Sequence, residues 1–210
     1  MNFLAHLHTS PNHTLVRVFN FSGDGYKGSA WKVSACKEEL LGVQLHRHID
    51  SFTDNHLLTR EAIKVLRPEL GKVAGIALDL FGDYFLHKHW KDFRTLQPHT
   101  AKMSNEEFSL LCIDEISKHQ HLLKGKARAM APHLIRQNWI LDYQHLTGLE
   151  RAANGISKRH PVATALYGYF ANLPEKHYHA TEQWMLDFYP ELIQSCQNWV
   201  SKQEGFEPQP

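Results

Sequence analysis

The segment 71–90 is the most apolar part of this chain, and it carries two carboxylates. Val73, Ile76, Leu80, Phe81, Phe85 and Leu86 surround Asp79 and Asp83. Residues four apart on a helix project from one face, so the two acids share a side of a helix that must be at least partly buried. A bare carboxylate there is costly unless it is paired, hydrogen-bonded or bound to a cation. The stretch His46-Arg47-His48-Ile49-Asp50-Ser51-Phe52-Thr53-Asp54 repeats the pattern. His46 and Asp50 share a face, and Asp54 follows Asp50 by another turn. Two such helices facing each other would assemble nitrogen and oxygen ligands inside a helical protein.

Helical period extends over most of the sequence. It predicts helices at 36–49, 57–66 (stopped by Pro68), 71–90, 127–146, 161–171, 175–188 and 191–201. Ser104-Asn105-Glu106-Glu107, a polar cap followed by acids, predicts a helix from there to about His121. No stretch alternates apolar and polar residues for long, so no significant sheet is expected. Residues 9–35 are the exception: Ser22-Gly23-Asp24-Gly25-Tyr26-Lys27-Gly28 is glycine-rich and turn-like. It resembles a nucleotide-binding GxGxxG loop only superficially, because no strand precedes it. The tail Gly205–Pro210 is expected to fray. With 210 residues, 42% hydrophobic, the chain can bury a substantial core. The expectation is one all-α domain over residues 1–205, a helical bundle.

Charge excludes some functions. Lys+Arg number 23 and Asp+Glu 22, so no global field draws the chain to nucleic acid or to a membrane surface. No apolar run approaches a membrane span, and the first residues lack a basic start followed by an apolar core. A soluble cytoplasmic protein is the expectation. Cys36, Cys112 and Cys196 are scattered, and they read as reduced thiols. The 16 histidines favour a metal site modestly, since several lie in polar, loop-like surroundings.

Each candidate has a plain alternative. Asp79 and Asp83 could be metal ligands or carboxylates bonded to arginine and backbone donors. Thr53-Asp54-Asn55 also looks like a helix N-cap. Asp24 lies between glycines, the usual setting of a turn residue. His6 and His8 are two apart, so at most one is expected to point inward. His87 and His89 near a helix end could cap it electrostatically. Mixed His and Asp ligation suits manganese, iron, zinc or magnesium, and the number of carboxylates tilts it toward harder ions. Hydrolysis of a phosphate ester is the chemistry that follows.

Several motifs together resemble a known family. Met1-Asn2-Phe3-Leu4-Ala5-His6-Leu7-His8 is followed by Asn20…Asp24…Gly28, then Gly42-Val43-Gln44-Leu45-His46-Arg47-His48-Ile49-Asp50…Thr53-Asp54-Asn55-His56. Asp79…Asp83-Tyr84-Phe85-Leu86…His89-Trp90 comes next, and Gly155-Ile156-Ser157-Lys158-Arg159 and Phe188-Tyr189-Pro190 close the series. This order is similar to the acyl carrier protein phosphodiesterase family, from residue 1 to about 195. The resemblance implies a rearranged, all-helical version of the HD metal-dependent phosphohydrolase fold. It implies hydrolysis of the phosphodiester joining 4′-phosphopantetheine to acyl carrier protein, with Mn2+ preferred and Mg2+, Fe2+ or Zn2+ as alternatives. Carried over by position, Asp24, His46, Asp50, Asp79 and Asp83 are metal-ligand candidates, and His6 and Asp54 are candidates for proton transfer. Phe21-Ser22-Gly23-Asp24-Gly25 is less apolar than the family pattern, Tyr84 replaces a histidine of some members, and His87 has no counterpart.

Acyl carrier protein is acidic as a class, so a basic docking patch is expected. Arg128, Arg136, Arg151, Lys158 and Arg159, with Trp139 or Tyr143 nearby, are the candidates; a solvated charged face is the alternative. Two other functions compete: a phosphohydrolase of the same type acting on nucleotides or other small phosphoesters, and a non-catalytic helical binding protein. Oligomeric state does not follow from the sequence.

Overall fold

The computed structural model describes residues 3–203; the tail Gly205–Pro210 lies outside them. Eleven α-helices and short 3₁₀ turns, without a strand, account for the regular structure among the described residues. The helices are α1 (Phe3–His8), α2 (Thr14–Phe21), α3 (Lys37–Asn55), α4 (Leu57–Leu70), α5 (Ala74–Lys88) and α6 (Trp90–Phe93). They continue as α7 (Asn105–Lys118), α8 (Gly125–Gln137), α9 (Trp139–Asp142), α10 (Leu146–Arg159) and α11 (Glu175–Ser201). The fold is all-α, as expected.

One main core joins these helices. α11 lies across α3, α4 and α5. Leu45, Ile49, Leu66, Phe81, Phe85, Phe108, Phe188 and Leu192 are fully buried within the core. Each such side chain contributes about 1.5–3 kcal/mol relative to exposure. α1 is short but buried from Leu4 to His8, packed between α2 and α5. α2 and α3 share the most extensive contact. Gly42 allows it: a Cβ there would sit 2.6 Å from the Phe19 Cβ and the Val16 carbonyl oxygen.

Several element boundaries differ from expectation. Helix α2 falls in the region read as turn-like, where Val16, Val18, Phe19 and Phe21, with Arg17 and Asn20 between them, are all buried. Pro68 lies inside α4, and Pro190 inside α11, which is one helix and not two. An internal proline costs about 3 kcal/mol. Burial of Trp184, Met185 and Phe188 on one side of Pro190, and of Leu192 and Ile193 on the other, outweighs it. The helix expected at 127–146 is broken at Asn138, which takes a left-handed conformation (φ 51°, ψ 48°) and ends α8. α10 was not expected; it packs on Leu149 and Ala153. Segment 161–171 forms 3₁₀ turns, Pro161–Leu166 and Phe170–Asn172, separated by Gly168 at φ 71°. The capping box at Ser104 and Glu107 starts α7 as expected.

Candidate active site

Asn20 organises the centre of the site. It is a lone amide in the apolar stretch Thr14–Phe21, fully buried on α2. Its side-chain oxygen accepts a hydrogen bond from the His6 Nδ1 at 3.0 Å, and its backbone carbonyl accepts one from the His46 Nδ1 at 2.8 Å. Its amide nitrogen donates to the His6 carbonyl and to Ser10 Oγ, both at 2.8 Å, which sets the direction of the amide. Both imidazoles are thereby held with Nδ1 engaged and Nε2 turned the other way. The rings stack, 4.2 Å between centroids and 21° apart in plane.

Both Nε2 atoms meet Asp50. His6 Nε2 is 3.2 Å from one carboxylate oxygen and His46 Nε2 is 3.1 Å from the other. One ligand atom from each of the three residues lies within 4.8 Å of the others, close enough for a single cation to touch all three. Asp24 stands at the rim, 3.5 Å from His46 Nε2 and more exposed than Asp50. It is carried by the 3₁₀ turn Gly23–Gly25. Gly23 is required there, because a Cβ would fall 2.3 Å from the His46 ring.

Charge in the cluster is unevenly distributed. Burial acts to depress His46, but the carboxylates of Asp24 and Asp50 outweigh it and raise the imidazole to about 9. Burial and the neighbouring His46 charge lower His6, against the pull of Asp50. Burial would raise Asp50, yet the two histidines hold it well below the ordinary carboxylate range. His46 also lowers Asp24. The buried His46 Nε2 makes no well-formed hydrogen bond despite its short carboxylate contacts. Two imidazoles oriented from behind and facing carboxylates fit a divalent cation, whose ligating histidines donate their other N–H to a polar partner. A cation placed there would displace the His46 proton.

The other expected residues lie around this group. Asp83 is buried below the first residues of α1 and accepts the backbone N–H of Leu4 (3.1 Å) and Ala5 (3.2 Å). Burial pushes its carboxyl up to about 7, against these two hydrogen bonds. Asp79, half-buried one turn earlier, adds to the rise of Asp83 and also to that of Asp54. Asp54 is exposed and sits in the last turn of α3, so it is not the N-cap its local sequence suggested; partial desolvation and the neighbouring Asp50 and Asp79 raise its carboxyl.

His6 and His8 both point inward, contrary to expectation. α1 is enclosed on all sides, so residues on opposite faces are equally buried. His8 bonds Tyr189 (2.8 Å) and Thr100 (3.1 Å) in the aromatic core. His87 lies against Asn105 and the Ile140 carbonyl, and His89 against Glu182. Arg128 and Arg136 are exposed on α8, which abuts the Asp24 turn. Lys158 and Arg159 are exposed at the end of α10, which packs on α5, α9 and the 161–172 turns. Arg151 pairs with Asp142. Asn20 is the site residue the sequence reading left out. Its signal was an amide isolated among Leu15, Val16, Val18, Phe19 and Phe21.

Comparison with known proteins places this geometry in context. A family model described as acyl carrier protein phosphodiesterase matches residues 1–192. A protein of that name from Photorhabdus laumondii is 28% identical over 198 residues, covering 94% of this chain and 96% of that one. Those from Klebsiella pneumoniae (29%, 94% and 98%) and Escherichia coli O45:K1 (29%, 93% and 97%) are similar to the same extent. No solved structure matches the chain. Among the described residues no helix is long and apolar enough to cross a membrane.

Proposed function

This chain belongs to the acyl carrier protein phosphodiesterase family, and from that premise we propose that it hydrolyses holo-acyl carrier protein to apo-acyl carrier protein and 4′-phosphopantetheine. It is in this reading a phosphoric diester hydrolase of the cytoplasm, dependent on a divalent cation, preferably Mn2+. The observation that carries the reading is the convergence of His6, His46 and Asp50, with both imidazoles set by Asn20. We take the helical fold to be the rearranged HD-type arrangement that the sequence motifs imply.

His6, His46 and Asp50 would hold the cation, with Asp24 reaching it from the rim. Two imidazoles and two carboxylates are compatible with manganese, iron(II) or zinc, and less so with magnesium. When bound, the cation supplies Lewis acidity, neutralising charge on phosphoryl oxygens and acidifying water. The remaining work falls to the protein. Asn20 fixes the tautomers and directions of both histidines. Asp83 holds the start of α1 and so places His6. Asp54, with its raised carboxyl one turn beyond Asp50, is the group we assign to protonating the departing serine oxygen as water adds to phosphorus. Asp79 assists by keeping that carboxyl above its ordinary range.

The test is incubation of purified protein with holo-acyl carrier protein and Mn2+, followed by intact mass. Loss of the phosphopantetheine group, abolished by chelator and by His46→Ala, is the expected result. An unchanged mass with metal-loaded protein overturns the reading. Hydrolysis of nucleotides but not of carrier protein would favour the small-phosphoester alternative, and a metal-free, inert protein the binding-protein alternative.

A further inference from the structure

We propose that the segment joining Asp24 to α3 and the start of α8 together form the docking face for an acidic surface of the protein substrate. This rests on the proposed function and deepens it by placing the partner. The two segments hold eight of the chain's 23 Lys and Arg and none of its 22 Asp and Glu, so they are strongly basic in a chain whose net charge is only +1. Residues 25–37 contain Lys27, Lys32 and Lys37 and no acid, and residues 116–141 contain Lys124, Lys126 and Arg128 among others and again no acid. Far apart in sequence, they meet beside the site. The backbone N–H of Lys124 donates to Ser22 Oγ at 2.8 Å. A Cβ on Gly125 would lie 2.7 Å from the Gly25 Cα, so the two turns touch backbone to backbone. Gly25 is the residue after Asp24, so the basic face begins at the rim of the cluster.

The face is held in shape by a core of its own. Phe19, Tyr26 and Val43 form a second hydrophobic cluster, with Trp31 and Leu122 packed on it. Arg47, next to His46, donates to the Tyr26 carbonyl at 2.9 Å and lies 5.5 Å over the Trp31 ring. The Lys124 ammonium lies 4.2 Å over the Tyr26 ring and pairs with Glu39. On this support Val33 is 93% exposed. Lys27, Lys32, Lys126 and Arg128 are exposed and have no ion-pair partner among the described residues. Exposed cations without ion-pair partners on two segments that meet beside Asp24, with an exposed valine next to Lys32, are complementary to an acidic protein surface carrying one apolar contact. Charge steers the encounter, and the apolar spot supplies a local anchor. A merely solvated basic face would not need to adjoin Asp24 or to display a valine. Of the basic residues expected from sequence, this keeps Arg128 and replaces Arg136, Lys158 and Arg159 with Lys27, Lys32 and Lys126.

The experiment uses the full-length protein loaded with Mn2+. Lys27, Lys32, Lys126 and Arg128 are changed together to Glu, and Val33→Asp is made separately. The quadruple variant should lose on the order of 10- to 100-fold in kcat/KM for holo-acyl carrier protein at low salt, through KM. Its rate on bis(p-nitrophenyl) phosphate should match wild type, which also shows that it folds. The wild-type rate on the protein substrate should fall with salt, while that of the variant should not. Lys158→Glu with Arg159→Glu should change kcat/KM by less than about twofold. Unchanged kinetics on the protein substrate in the quadruple variant would overturn the docking face while leaving the activity standing. If wild type fails to cleave the carrier at all, the functional reading has failed. Titration with fluorescent apo-acyl carrier protein then tests the face alone: equal affinity for wild type and variant, or binding of nucleic acid in place of the carrier, overturns it.

Discussion

Helices α3 and α5 both present acidic groups one turn apart, and they use them differently. On α3, His46 and Asp50 look toward α1 and α2, which bring His6 and Asn20. The cluster opens to solvent at Asp24, and the Asp50 side chain stays 39% exposed. On α5, Asp83 is only 1% exposed and lies under the beginning of α1, where two amides take its oxygens. On α3 the ligand atoms are left facing an opening; on α5 Asp83 is closed over by backbone. The same helical spacing therefore yields a candidate cation site or an internal clamp, according to what the neighbouring helix presents. The two are also linked, since the helix that Asp83 clamps is the one that carries His6.

Breaking each region should separate them. The largest effect is expected from Asp50→Ala, which removes the carboxylate both histidines face. Hydrolysis should fall on the order of 10³-fold, the equivalent of several kcal/mol, while the circular dichroism melt stays cooperative. Asp83→Ala should do the reverse. Two buried amides lose their acceptor, so stability to urea should drop by about 3 kcal/mol, and the folded fraction should lose far less activity than Asp50→Ala does, since only the placing of His6 is loosened. Asp83→Asn keeps one acceptor oxygen but turns its NH2 toward the second amide, so it should restore at most about half of that loss. Equal sensitivity of activity to Asp50→Ala and Asp83→Asn would erase the distinction.

Asn20→Ala tests the positioning between them. Manganese affinity should weaken about 10- to 100-fold by titration, with His6 and His46 still present. An unchanged affinity would mean that His6 does not depend on the Asn20 side chain; the backbone carbonyl that holds His46 is retained in the variant. The smallest effect concerns His8, on the far side of α1 from His6. Burial pushes its imidazole down to about 3. An unfolded histidine titrates near 6.5, so below that pH the unfolded chain takes up a proton that the folded chain refuses. Stability is therefore present above about pH 6.5 and declines as pH falls toward 3. At pH 5 the loss from this residue is about 2 kcal/mol. Comparing urea midpoints of wild type and His8→Gln at pH 7 and pH 5 measures it, since glutamine does not titrate and its amide can replace the bonds to Tyr189 and Thr100.

Much of the helical content was legible in the sequence. The capping box at Ser104 and the apolar run through α5 are local signals, and local signals survive whatever packs around them. The prolines misled, because the cost of Pro190 is weighed against burial along the whole of α11, which no local window contains. His8 misled for a related reason: facing away from His6 implied solvent, but a second wall of Trp90, Phe108 and Tyr189 stands there.

By itself the amino-acid sequence determined that the protein is helical, that His46 and Asp50 share a face, and that carboxylates enter an apolar helix. These follow from periodicity, which acts over a few residues. Only the tertiary structure decided that Asp83 faces two amides, that one asparagine directs two histidines, and that two basic stretches meet beside Asp24. A hydrogen bond or a shared charge depends on which atoms come within about 3 Å, and that distance is set by elements remote in the chain.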